Sequence, residues 1–167
     1  MDISSSYAPV AGLVSSVPFG WIVVAVLATL LTLDALRSGI ARATALSIAL
    51  PLAFILHQFL NTAVLLGPLV TPVVSPLAQA LIFGVLLVAL FILVYKMVDS
   101  YSADTYGIFS AILVGLATTT VLVVVWSLVP SLMSFWDFGA SVQSVFGEGN
   151  RFWLLLAAFI GLAFARS

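Results

Sequence analysis

Long apolar runs separated by short polar gaps make up most of this chain, and the run lengths predict its elements. A hydrocarbon core of about 30 Å is crossed by roughly 20 helical residues, with a working range of about 17 to 25. Four runs reach that length, at 19–36, 40–60, 77–98 and 106–129. A fifth, 152–165, lies near the lower limit and is either a short span or a helix in a thinner part of the membrane. Together they predict an all-α, polytopic transmembrane helix bundle of four to five spans, forming one integral membrane domain over residues 1–167. Prolines punctuate it. Pro18 precedes the first run, Pro76 opens the third and Pro130 stops the fourth, whereas Pro51 falls inside the second. There it removes one backbone hydrogen bond and should kink the helix.

Two connecting stretches are themselves apolar. In 61–76, prolines at Pro68, Pro72 and Pro76 disfavour a regular helix and predict a strap across the helix ends or a partly re-entrant path. Irregular backbone at membrane depth survives only when buried in protein or lining a wet cavity. In the second stretch, Ser134, Asp137, Ser141, Ser144 and Glu148 recur at helical spacing, while Leu132, Phe135, Trp136, Val142, Val145 and Phe146 fall largely opposite. That pattern predicts an interfacial amphipathic helix over about 131–146.

Composition supports the membrane assignment and narrows the function. The chain is 63% hydrophobic and 7% charged, against about 25% charged residues in a soluble domain. Charge at the centre of a membrane helix is expensive, and here it is confined almost entirely to the gaps. Five basic residues and a net charge of -1 leave no dense cationic patch, which argues against nucleic acid as a partner. Cysteine is absent and His57 is the single histidine, so thiolate zinc sites and a multi-histidine centre within one copy are excluded. There is no glycine-rich phosphate loop and no triad placed at plausible depths, so neither an enzyme nor a cofactor is expected. The positive-inside rule orients the bundle. With the N-terminus outside, Arg37, Arg42, Lys96 and, for five spans, Arg166 all fall on the cytoplasmic side, leaving Arg151 outside. The C-terminus is then cytoplasmic.

A few residues could carry chemistry or contact. His57, Gln58 and Asn61 lie within about one helical turn at the outer end of the second span, where they form a polar gate or simply hydrogen-bond the interface. Gln79, Asp137, Glu148 and Arg151 share that side, and their convergence on His57 would make it a site. Asp34 sits near the opposite end of the first span, about 20 Å away in depth, which excludes direct proton transfer to His57. Arg37 stands three residues on, the spacing of a helix-surface ion pair. Gly107, Ala111 and Gly115 form a small-residue ridge suited to close helix packing, with Gly84 as a candidate facing position. Thr118, Thr119 and Thr120 sit near mid-membrane, where their hydroxyls should bond the carbonyl one turn back.

At two places the chain resembles the colicin V production protein family. Leu36-Arg37-Ser38-Gly39-Ile40-Ala41-Arg42 is similar to that family's basic, glycine-containing turn between its first two membrane helices, although Ala43 replaces the usual acidic residue. Asp104 followed by Gly107, Ala111 and Gly115 is similar to its glycine ladder, with alanine at the middle rung and no basic residue at Val114. The resemblance touches about a fifth of the chain, and the long outer segments depart from the family's four-helix pattern. It implies a multi-pass protein of the bacterial inner membrane, linked to export or envelope homeostasis. It carries over no catalytic residues. The expected function is that of a non-enzymatic scaffold or subunit of an envelope or export-related membrane assembly, with lipid and other membrane subunits or further copies as partners. The alternative is a small channel or transporter with a re-entrant Pro-rich outer segment.

Overall fold

The structure is a computed structural model that describes residues 17–60, 75–99 and 107–165. Asn61, the Pro-rich stretch up to residue 74, Asp104 and Arg166 lie outside the described residues. Seven helices and no strand occur among those that are described: α1 Phe19–Ser38, α2 Ile40–Leu60, α3 Pro76–Asp99, α4 Ile108–Leu128, α5 Pro130–Met133, α6 Ala140–Phe146 and α7 Glu148–Phe164. The first four are each long and apolar enough to cross a membrane, and α6 with α7 gives a fifth if that bent pair counts as one span. The protein is an all-α membrane-spanning helix bundle.

The helices alternate between two ends. One is the turn end, where α1 and α2 join through the single residue Gly39, whose φ of 86° lies in the left-handed region that glycine enters freely. The other is the cap end, where the segment between α4 and α7 covers the helix termini. α4 is the hub and packs against α1, α2 and α7, while α3 lies outside against α2 and α5. Burial ranks them the same way: 56% of the most apolar window of α4 is buried inside the protein, compared with 11% for α1 and for α3.

The side chains of α4 explain its position. Its buried positions are all small or β-branched: Ala111, Val114, Gly115, Ala117, Thr118, Thr119, Val121 and Val123 to Val125. Lipid tails are as apolar as leucine, so helices in a membrane associate through close packing more than through a hydrophobic drive. Short side chains let backbones approach. At Gly115 the approach is closest, because a Cβ built there would meet the Thr32 hydroxyl of α1 and come within 2.7 Å of the Thr32 Cα. The expected ridge therefore divides. Ala111 and Gly115 are buried, Gly107 is the exposed N-cap of α4, and Gly84 on α3 faces open space, with nothing within 4 Å of where a Cβ would stand. Gly84 does not oppose the ridge.

At the cap end the expected helix over 131–146 forms as two pieces, α5 and α6, separated by a non-helical stretch. The cause is local. The Asp137 carboxylate accepts a hydrogen bond from the Gly139 backbone N–H at 2.9 Å, an Asx-type turn, and Gly139 itself has φ +83°. The break rotates α6 so that Val142 and Phe146, together with Phe138, pack into the bundle beside Trp21 and Trp126. Gly20 makes room, since a Cβ there would collide with the Phe138 carbonyl. Phe135, Trp136 and Val145 remain exposed, so only part of the expected apolar side is inserted. α7 begins four residues earlier than the 152–165 run and turns 65° from α6 at Gly147. It then returns along α4.

These contacts separate glycines that the sequence pattern groups together. Gly115→Leu should cost at least about 2 kcal/mol through overpacking against Thr32, whereas Gly84→Leu and Gly107→Leu should leave the melting temperature in detergent nearly unchanged. Equal destabilisation by all three variants would contradict the assigned α1–α4 contact.

Candidate functional site

Polar side chains gather at three levels, and each has a distinct structural origin. At the turn end, the glycine bend folds α2 back beside α1 and brings Arg42 to Asp34. The Arg42 Nη1 donates to Asp34 Oδ1 at 3.5 Å and to the Ser38 hydroxyl at 3.2 Å, and Ser38 in turn donates to Asp34 Oδ1 at 3.1 Å. Among the described residues the Asp34 ion pair is thus with Arg42, eight residues away, and not with the expected Arg37. Asp34 and Arg42 are both partly exposed, and an ion pair of that kind adds little stability.

At mid-membrane, Ser47 of α2 meets Thr118 of α4. The Ser47 hydroxyl donates to Thr118 Oγ1 at 2.8 Å, and the Thr118 hydroxyl donates to the Val114 carbonyl one turn back at 2.7 Å. Thr119 and Thr120 bond back in the same way, to Gly115 and Leu116. The backbone bonds of the three threonines follow from sequence, whereas the partner Ser47 does not stand out in it. A usable signal is nevertheless present: Pro51 has no N–H, so the carbonyl of Ser47 one turn earlier loses its intrahelical donor. A buried turn lacking a backbone bond is a natural place for a side-chain hydroxyl network.

At the cap end of α2, His57 packs edge-on against Phe83 of α3, with ring centroids 5.8 Å apart. Its Nδ1 is buried without a hydrogen-bond partner among the described residues, while Gln58 next to it is exposed. Asp137 and Arg151 do not converge on His57. Asp137 is held by Gly139 and Gln143, and the Arg151 Nε donates to the Phe146 carbonyl at 3.2 Å, so both serve the α5–α7 segment. That segment is further tied down by Trp126 Nε1 donating to the Trp136 carbonyl at 3.0 Å. Asp34 lies toward the turn end of the bundle and His57 toward the cap end, so the depth separation of about 20 Å stands.

No group of three or more metal-capable side chains occurs among the described residues. What the arrangement provides is a charged cluster at one membrane edge, a dry hydroxyl contact in the middle and a lone imidazole at the other edge. Between Ser47 and Thr118 the hydroxyls are occupied by each other and by backbone, which is the chemistry of a packing contact.

A double-mutant cycle tests the contact. Ser47→Ala and Thr118→Val should each cost about 0.5 to 1 kcal/mol, the scale of interhelical hydrogen bonds in membranes. The double variant should cost clearly less than the sum, because either single change already removes the one bond the two hydroxyls share, while the remaining hydroxyl keeps its bond to backbone. Additive costs in a detergent unfolding titration would dissolve the pair.

Compared with known proteins, the chain matches no family model, no curated protein and no solved structure.

Proposed function

We propose that this is a non-enzymatic, multi-pass subunit or scaffold of a membrane assembly, acting through its outward helix faces and its cap end. The observation that carries this reading is the division of labour within the bundle. Buried polar groups on α2 and α4 are spent on one another and on backbone, while α1 and α3 turn most of their apolar surface outward. On α3, Leu81 and Val85 are 62% and 70% exposed. Lipid or another helix can cover such a face equally well by hydrophobicity alone, and α3 offers one 24 residues long. The cap end adds exposed aromatic residues, Phe19, Phe135, Phe152 and Trp153, of the kind that gather at membrane interfaces.

The resemblance at Arg37–Arg42 and at Gly107–Gly115 supports placing the assembly in a bacterial inner membrane with a role in export or envelope maintenance. The basic residues support an orientation with the turn end cytoplasmic and the cap end outside. Because the chain has no cysteine, single introduced ones report topology cleanly. Ser38→Cys should be labelled by an impermeant maleimide only after the membrane is opened, and Ser144→Cys in intact cells. The reverse pattern would invert the orientation.

The assembly itself is tested by native mass spectrometry after mild extraction from the source membrane. A second subunit in fixed ratio is expected, and Val85→Trp should remove it while leaving the melting temperature unchanged. Recovery of a bare chain that conducts protons or small ions in liposomes, with loss of flux in His57→Ala, would replace this reading with the small channel or transporter.

A further inference from the structure

The turn end carries a feature that the subunit reading does not use. A cavity of about 190 Å³ opens between α1, α2 and α3, walled by Leu31, Leu46, Leu87 and Phe91 and closed toward the turn by Asp34 and Arg42. Its walls lie one to three helical turns inside the helix ends, and its polar end lies at the membrane edge. An apolar slot that runs from hydrocarbon depth to a cation at headgroup depth has the polarity to seat part of one acyl chain beneath the headgroup of a membrane lipid. From this juxtaposition we propose that the slot holds an anionic phospholipid of the adjacent leaflet, with one acyl chain along Leu46, Leu87 and Phe91 and its phosphate on Arg42.

Charge complementarity selects an anionic headgroup. Residues 34–42 hold two arginines against one aspartate. Asp34 engages the Arg42 guanidinium through Nη1 alone, and that contact is 3.5 Å long. Nε and Nη2 have no hydrogen-bond partner among the described residues, so the fork that a phosphate accepts in bidentate fashion is open. Arg37 stands on the exposed end of α1 two residues before Gly39 and supplies the second positive charge. Basic pockets between membrane helices are known to take anionic headgroups for the same reason. Asp34 then acts as a competitor. It occupies part of the guanidinium and sets how strongly the site prefers an anion.

The test uses the full chain in neutral detergent, titrated with phosphatidylglycerol or phosphatidylcholine of identical acyl chains and read by native mass spectrometry. The native protein should retain phosphatidylglycerol several-fold more strongly than phosphatidylcholine, and Arg42→Gln should lower that preference by about fivefold. Asp34→Asn should raise it, because the competing carboxylate is gone. Leu87→Trp, which fills the slot, should lower retention of both lipids. Glycerol phosphate, the headgroup without its tails, should not displace bound lipid at equal concentration. Equal retention of the two lipids by the native chain, or an undiminished preference in the Arg37→Gln/Arg42→Gln double variant, overturns the proposal. If Arg42→Gln does not fold, Asp34→Asn decides alone, and unchanged or reduced retention of phosphatidylglycerol refutes it. Displacement by glycerol phosphate refutes the slot as a tail site.

Discussion

The close approach of α4 to α1 at Gly115 and Thr32 is the contact around which the rest of the bundle is arranged. A membrane offers no solvent to expel helices from, so a helix becomes central only if its surface permits many neighbours at short range. α4 does so with alanine, glycine, valine and threonine at its buried positions and with bulkier Ile112 and Leu116 on the side left exposed. Three helices can then share its circumference. α3, whose large exposed side chains are mainly leucine, isoleucine and valine, packs outside on α2.

Central position makes polar groups costly, and the bundle resolves this by pairing. A hydroxyl that bonds the carbonyl one turn back carries no net demand on its neighbours, and Thr119 and Thr120 are of that kind. Thr118 differs because its oxygen also accepts from Ser47, which converts a self-satisfied residue into a registry mark between α2 and α4. Sliding one helix along the other by a turn would break the bond between the two hydroxyls and leave each with only its own helix's carbonyl. The Gly115 contact sets how close α1 and α4 come, and the hydroxyl pair sets the register of α2 on α4.

The spans were legible in the sequence because apolar run length is a one-dimensional property, and the four longest helices start and stop within about two residues of the runs. What the sequence obscured was anything decided by rotation or by a bend. The spacing of Asp34 and Arg37 satisfies the helix-surface rule, yet Gly39 folds the chain so tightly that a residue on the next helix competes for the carboxylate and wins. Gly84 and Gly115 look alike in sequence, but only Gly115 faces a neighbouring backbone. The polar stripe over 131–148 keeps helical spacing through Asp137 even though Asp137 lies in the non-helical stretch between α5 and α6, its side chain bonded to the Gly139 N–H. Periodicity registers which residue types recur and is blind to a side chain that bonds its own backbone.

One helix links the three polar levels. α2 carries Arg42 at the turn end, Ser47 at the central contact, Pro51 one turn further on and His57 at the cap end. The two charged or ionisable ends cannot communicate by proton transfer, since the central hydroxyls are closed on themselves and the ends lie far apart in depth. They can be coupled mechanically. Pro51 leaves α2 with one fewer backbone hydrogen bond between Ser47 and His57, and that is the position at which the helix bends most cheaply. A bend there moves His57 against Phe83 of α3 while Ser47 and Thr118 hold the other half of α2 in register with α4. Occupancy of the slot at Arg42, which α3 also walls through Leu87 and Phe91, therefore bears on the same α2–α3 interface that seats His57. In this bundle the relative placement of two packed helices is the channel through which one membrane edge can influence the other.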